Sequence, residues 1–318
     1  MLLESWEEKR QDKSRRTNLF KDLSRIMLSL GRVPLPRIGS FTIDDHGVLS
    51  LTNRPLTLRI HDLENEGVPT NISRNDVYTN VEPYISDLLT CHDNLVRHRL
   101  NSINDRSDCR AQMAVLTGMR AVLHHFLNRD VRNGPFIFML TDIHQGNIYV
   151  DEQWNVKYLI DLEWACSLPI EMQNPPHWLT NRDVDQLEGE DLTSYSDMHE
   201  EFMQAFEGEE KLQPVTSLGE RDLLHTRTMR RVWETGAYFY FHALESPAGL
   251  FNLFIQHTWP KFPSSMAAKE GFDEAVSPFW SPDADDFTAT KLRQREEYEK
   301  DLRALFKAQA SEEPINND

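Results

Sequence analysis

An α+β fold, mainly helical with short β-hairpins, is predicted by three features of the sequence. Apolar residues recur at helical spacing in long segments, three short β-type runs crowd into residues 136–161, and aromatic-rich helical stretches fill 223–257. The chain has 318 residues, of which 39% are hydrophobic, enough for one large core.

Taken in order, Ser5 followed three residues later by Glu8 has the form of a helix capping box. Leu19, Phe20, Leu23, Ile26, Met27 and Leu30 then mark one face of a helix that Gly31 and Pro34 stop. Residues 40–51 alternate around Asp45-His46-Gly47 and read as a hairpin closed by a glycine turn. Residues 63–80 read as loop, and 81–100 and 108–127 as two amphipathic helices. The runs FIFML, NIYVD and VKYLID follow, separated by turn residues.

Beyond Pro175-Pro176 the chain becomes acidic: 13 acidic residues between Asp183 and Asp222 face only Lys211 and Arg221. A solvated surface is the plain reading of that stretch, and a field that recruits a cationic substrate is the functional one. Helices over 223–244 and 247–257 carry Trp233, Tyr238, Phe239, Tyr240, Phe241, Phe251 and Phe254, which read as core. A charged helix over 288–310 runs into a polar tail that is expected to fray. With no repeat and no low-complexity linker, residues 1–260 form one unit, and 261–318 a helical extension and tail.

Charge and cysteine content exclude several function classes. The net charge of −17 disfavours nucleic acid and anionic membrane, and suits a cationic or neutral partner. Cys91, Cys109 and Cys166 show neither metal nor redox spacing. They read as buried small residues, as His124-His125 read as structural. No apolar run is long enough for a signal peptide or a membrane span, so a cytoplasmic location is expected.

The chemistry concentrates in LTDIHQGNIYVD (140–151) and LIDLEWA (159–165), where polar groups punctuate apolar strands. Phosphoryl transfer needs a carboxylate to orient an attacking hydroxyl, and an amide oxygen and a second carboxylate to hold Mg²⁺ against the phosphates. Asp142, Asn147 and Asp161 are residues of those types. Asp142 and Asn147 can bracket a tight loop, and a hairpin from Asn147 can return Asp161 to the same place.

These two segments resemble the aminoglycoside phosphotransferase and choline kinase-like family, most closely its fungal members. The family pattern, an apolar residue, H-G-D, x-H-x-x-N-I-hydrophobic-V-D and later I-D-[FWL]-E-x-A with a nearby proline, is met by Asp142, His144, Asn147, Ile148, Val150, Asp151, Ile160, Asp161, Glu163, Ala165 and Pro169. It is departed from at Met139, Leu140 and Thr141, where the family has its H-G. The resemblance covers Leu3 to Trp259.

It implies a protein-kinase-like fold represented by its helical C-terminal lobe, with Asp142 as catalytic base and Asn147 and Asp161 as Mg²⁺ ligands. His144 would stabilise the loop, and Glu163 would support the metal segment. It also implies ATP as co-substrate and a small-molecule hydroxyl acceptor, cationic in the family's best-known members. The family's ATP-binding lobe carries a Gly-rich loop and a strand lysine, whereas this chain contains no G-x-G-x-x-G and no V-A-I-K-like lysine before residue 140. ATP turnover by this chain alone is therefore expected to be absent. Apolar surface left bare by a missing lobe is expected to promote self-association, and a non-catalytic pseudokinase-type binding module is the alternative.

Overall fold

The computed structural model describes residues 1–213, 223–246, 248–262 and 271–312. The last nine residues of the acidic stretch, Pro247 at the head of an expected helix and the terminal tail beyond 312 lie outside the described residues.

The chain opens with α1 (Leu2–Lys9) and α2 (Lys13–Gly31). Asp12 caps α2 by accepting from Ser14 N and Arg15 N. Ser5 lies inside α1 rather than at its cap, because Leu2 and Trp6 must both face the core. Its hydroxyl instead accepts a hydrogen bond from Trp154 Nε1 at 3.0 Å. The hairpin forms as expected from β1 (Ser40–Ile43) and β2 (Leu49–Asn53), with Gly47 at φ +77° in its turn.

Residues 63–80 are loop as expected apart from 63–65, which end α3 (Leu58–Asn65), a helix with Thr57 as its N-cap. Too short for a clear periodicity, it is held by burial of Ile60 and Leu63. Helices α4 (Val81–His98) and α5 (Arg106–Phe126) follow the predicted spans within a few residues.

Strand β3 (Phe136–Leu140) pairs with β6 (Ala165–Pro169), and β4 (Ile148–Val150) with β5 (Val156–Leu159), both antiparallel. The sequence reading omitted β6, which completes the architecture around 136–169. The hairpin β4–β5 is thus inserted between two strands that pair with each other.

The acidic stretch forms α6 (Gly189–Leu212), and its carboxylates do more than face water. Glu201 takes a forked ion pair from the buried Arg16 of α2, the shortest contact being 2.7 Å, and Glu209 pairs with Arg25 at 2.8 Å. Glu210 accepts from His225 N and Thr226 N at the start of α7 (Leu224–Thr235). The single helix expected over 223–244 breaks at Gly236, φ +81°, into α7 and α8 (Ala237–Glu245). The 247–257 candidate becomes the short α9 (Leu250–Leu253) running into a π-turn at Phe254–Thr258. A short α10 (Phe272–Val276) and the long α11 (Ala284–Glu312) complete the described chain.

One hydrophobic cluster extends from Leu2 of α1 to Ala284 of α11. The aromatic residues of α8 are buried in it, and all three cysteines are free and buried, as expected. Among the described residues no helix is long and apolar enough to cross a membrane.

Burial holds four histidines neutral. His92, His199, His242 and His257 are pushed down from 6.5 to about 3, 4, 3 and 4 respectively. Below pH 6.5 the unfolded chain takes up protons that the folded one refuses, so these groups lose stability as pH falls toward 4. Glu171 and Glu245, pushed up by burial from 4.5 to about 7, act in the opposite sense and regain stability over the interval from 7 down to 4.5. Four groups oppose two with shifts of similar size. The midpoint of urea unfolding should therefore fall between about pH 7 and about pH 5, and a rise would show that the glutamates dominate.

Candidate functional site

The sequence-predicted residues divide between two loops. Asp142, His144 and Asn147 lie between β3 and β4, and Asp161 and Glu163 between β5 and β6. Two pairs of backbone groups draw these loops together. Thr141 N donates to Trp164 O at 2.8 Å, extending the β3–β6 ladder by one step, and Ile160 N donates to Asn147 O at 3.1 Å, extending β4–β5. Residues 142–146 and 161–163 are consequently the loops that follow the ends of these two ladders.

Local chemistry shapes the first loop. His144 caps a single 3₁₀ turn, its Nδ1 accepting from Gly146 N at 3.1 Å. The ring proton therefore sits on Nε2 in the neutral form. Asn147, only 4% exposed, uses its side-chain Nδ2 to donate to Asp142 O at 2.9 Å. That bond orients the amide, and Oδ1 takes no hydrogen bond among the described residues. The carboxylate of Asp142 is half-buried and likewise has no hydrogen bond or ion pair among them.

On the second loop Asp161 is exposed and adopts φ +54°, a left-handed conformation that costs a non-glycine residue about 1–2 kcal/mol. Its carboxylate makes no hydrogen bond among the described residues, so no local Asx turn accounts for the strain. Strain without a local structural use is a pointer to a functional position. Glu163 is exposed beside it, also without a polar partner among the described residues, so no described contact ties it to the metal segment.

Three tryptophans buttress the first loop from below. Trp178 Nε1 donates to Ile143 O at 2.8 Å. Trp178 meets Trp6 edge to face at 5.1 Å, and Trp6 stacks on Trp154 at 5.2 Å. Gln145 Nε2 donates to Asn181 Oδ1 at 2.8 Å, and Asn181 Nδ2 donates to Glu7 of α1. From α2, Arg15 and Asn18 donate to the carbonyls of Glu152 and Gln153, and Asp22 accepts from Val156 N, which anchors the β4–β5 turn. Sequence reasoning missed Trp6, Gln145, Trp178 and Asn181. Tryptophan in an otherwise charged N-terminal helix was the available signal.

The donor set of Asp142, Asn147 and Asp161 consists of oxygens, which suits a hard cation such as Mg²⁺ rather than a soft metal. Among the described residues no cluster of three or more His, Cys, Asp or Glu side chains is placed to enclose a metal. Mg²⁺ commonly takes only one or two carboxylates, filling the remainder with water and substrate phosphate, so the residues fit that mode of binding. Comparison with known proteins returned no matching family model, no matching curated protein and no matching solved structure.

The strain at Asp161 has a direct test. Asp161→Gly should leave the midpoint of thermal unfolding unchanged or raise it, whereas Asp161→Val should lower stability by about 1–2 kcal/mol, since a β-branched residue tolerates positive φ poorly. Equal effects of the two substitutions would remove the strain argument.

Proposed function

We propose that this chain is the metal-binding and base-bearing lobe of an ATP-dependent phosphotransferase acting on a hydroxyl of a small molecule, with a protein-kinase-like fold. The observation that carries the reading is the amide of Asn147. With Nδ2 committed to Asp142 O, its oxygen takes no hydrogen bond among the described residues, while its backbone carbonyl accepts from Ile160 N, the neighbour of Asp161.

In this reading Asn147 Oδ1 and the Asp161 carboxylate hold Mg²⁺, and the bound ion supplies charge neutralisation of the transferring phosphates. Asp142, on the same loop, accepts the proton of the acceptor hydroxyl and orients its oxygen for attack. Its carboxylate is available for this because no other described residue bonds it. His144 and Trp178 keep the loop closed so that the base does not wander, which matters because positioning is a large part of phosphoryl-transfer catalysis. The acidic character of α6 favours a cationic acceptor, although Glu200, Glu201, Glu207 and Glu209 are already paired with arginines.

Metal affinity can be measured on the chain itself by titration with Mn²⁺ followed by electron paramagnetic resonance. Asp161→Asn should weaken binding about tenfold or more and Asn147→Ala somewhat less, with Asp142→Asn weakest in effect. In the enzyme supplied with an ATP-binding lobe, Asp142→Asn should instead lower kcat while leaving Mg-nucleotide affinity nearly unchanged. Indistinguishable Mn²⁺ binding by wild type and all three variants would reject the assignment and leave the loops as turn architecture.

A further inference from the structure

Against the 141–147 loop the fold forms a partly open cavity of about 180 Å³. Its walls are largely apolar, with Leu23 and Met27 of α2, Met139 of β3 and Leu168 of β6 among them. Gln173, Asn174, His177, His242 and Glu245 are its polar lining from the core helices and the 170–177 segment, and no lysine or arginine lines it.

We propose that this cavity binds a small alkyl- or arylammonium ion, with Glu245 as its counter-ion. Glu245 is half-buried and makes no hydrogen bond or ion pair among the described residues. It is also the last residue of α8, where the negative end of the helix dipole disfavours a carboxylate and favours a cation. Asn174 Oδ1 and His242 Nε2 are buried without a hydrogen-bond partner. An unpaired buried polar atom is costly; Asn174 Oδ1 is an acceptor, and His242 Nε2 is one in the Nδ1–H tautomer, so the wall can receive a guest rich in donors.

A primary ammonium group carries three N–H donors and, above the raised value of about 7 of the Glu245 carboxyl, a charge opposite to that of Glu245, which an alcohol or a carboxylic acid does not. A pH of about 8 is therefore the condition for its binding. The volume limits the guest. A cavity of about 150 Å³ holds benzene, so a molecule of about eight non-hydrogen atoms, such as benzylammonium, fits.

This site is separate from the proposed phosphoryl-transfer site and does not rest on that reading, since Asp142, Asn147 and Asp161 are not in its lining. Thr141 and Ile143 are, so an occupant touches both neighbours of Asp142. A ligand here is an effector of loop position rather than a phosphoryl acceptor.

The experiment is calorimetric titration of the whole chain with benzylammonium chloride and, separately, with benzyl alcohol, alongside spectra of the protein labelled with ¹³C at its methionine methyls. Benzylammonium should bind at least about tenfold more tightly than benzyl alcohol, the scale of one charge-assisted hydrogen-bonded pair. It should shift the methyl signals of Met27 and Met139. Glu245→Gln, which keeps the shape of the side chain, should remove that preference while retaining the cooperative melt of the wild type. Equal affinity for amine and alcohol, binding that leaves the two methyls unmoved, or an unchanged preference in Glu245→Gln would each overturn the proposal. The amine-against-alcohol comparison on the wild type decides the matter even if the variant does not fold.

Discussion

Everything around the candidate site depends on two backbone hydrogen bonds, Thr141 N to Trp164 O and Ile160 N to Asn147 O. Each continues a two-stranded ladder by one residue, and together they bring the ends of two loops to the same sheet edge. Without the first, the 142–146 loop would not face 161–163. Without the second, the amide of Asn147 and the strained Asp161 would not share a hairpin base. Short strands of three to five residues have little stability of their own. The pairing persists because helices and tryptophans press on it from both sides.

That pressure comes from far away in sequence. α1 contributes Trp6 to the stack with Trp154 and Trp178, and α2 reaches the β4–β5 turn through Arg15, Asn18 and Asp22. α2 is in turn fixed to α6 by the Arg16–Glu201 and Arg25–Glu209 pairs. The Arg16 pair is largely desolvated, so breaking it by removing one partner would strand a charge, and its value lies in fixing how the helices register. The acidic residues of α6 therefore serve the architecture that holds the loop.

The two proposals draw on different groups beside that loop. Carboxylate and amide oxygens without described partners fit a hard divalent cation and a phosphoryl group. A largely apolar cavity with a carboxylate at a helix C-terminus fits a small organic cation. Ile143 connects them, since its carbonyl is held by Trp178 and the residue lines the cavity.

Helices with long apolar periodicity were legible from the sequence, because α2, α4 and α5 each bury one continuous stripe and that need is written at 3.6-residue spacing. The β1–β2 hairpin and the β4–β5 hairpin between Asn147 and Asp161 were legible for a similar reason: turn residues between short apolar runs are local signals. Tertiary structure alone decided the rest. α3 and β6 are too short to announce themselves and exist through burial and pairing with distant partners. The break at Gly236 is selected by packing of α7 and α8 at an angle that a continuous helix could not reach. The acidic α6 is paired because arginines nearly 200 residues earlier lie opposite it. The support of the loop by Trp6, Trp178 and Asn181, and the cavity that leaves Glu245 unpaired, are products of contacts between segments with no periodic relation. No local pattern can encode which of two tryptophans will meet, whereas a stripe of leucines encodes that it must be covered.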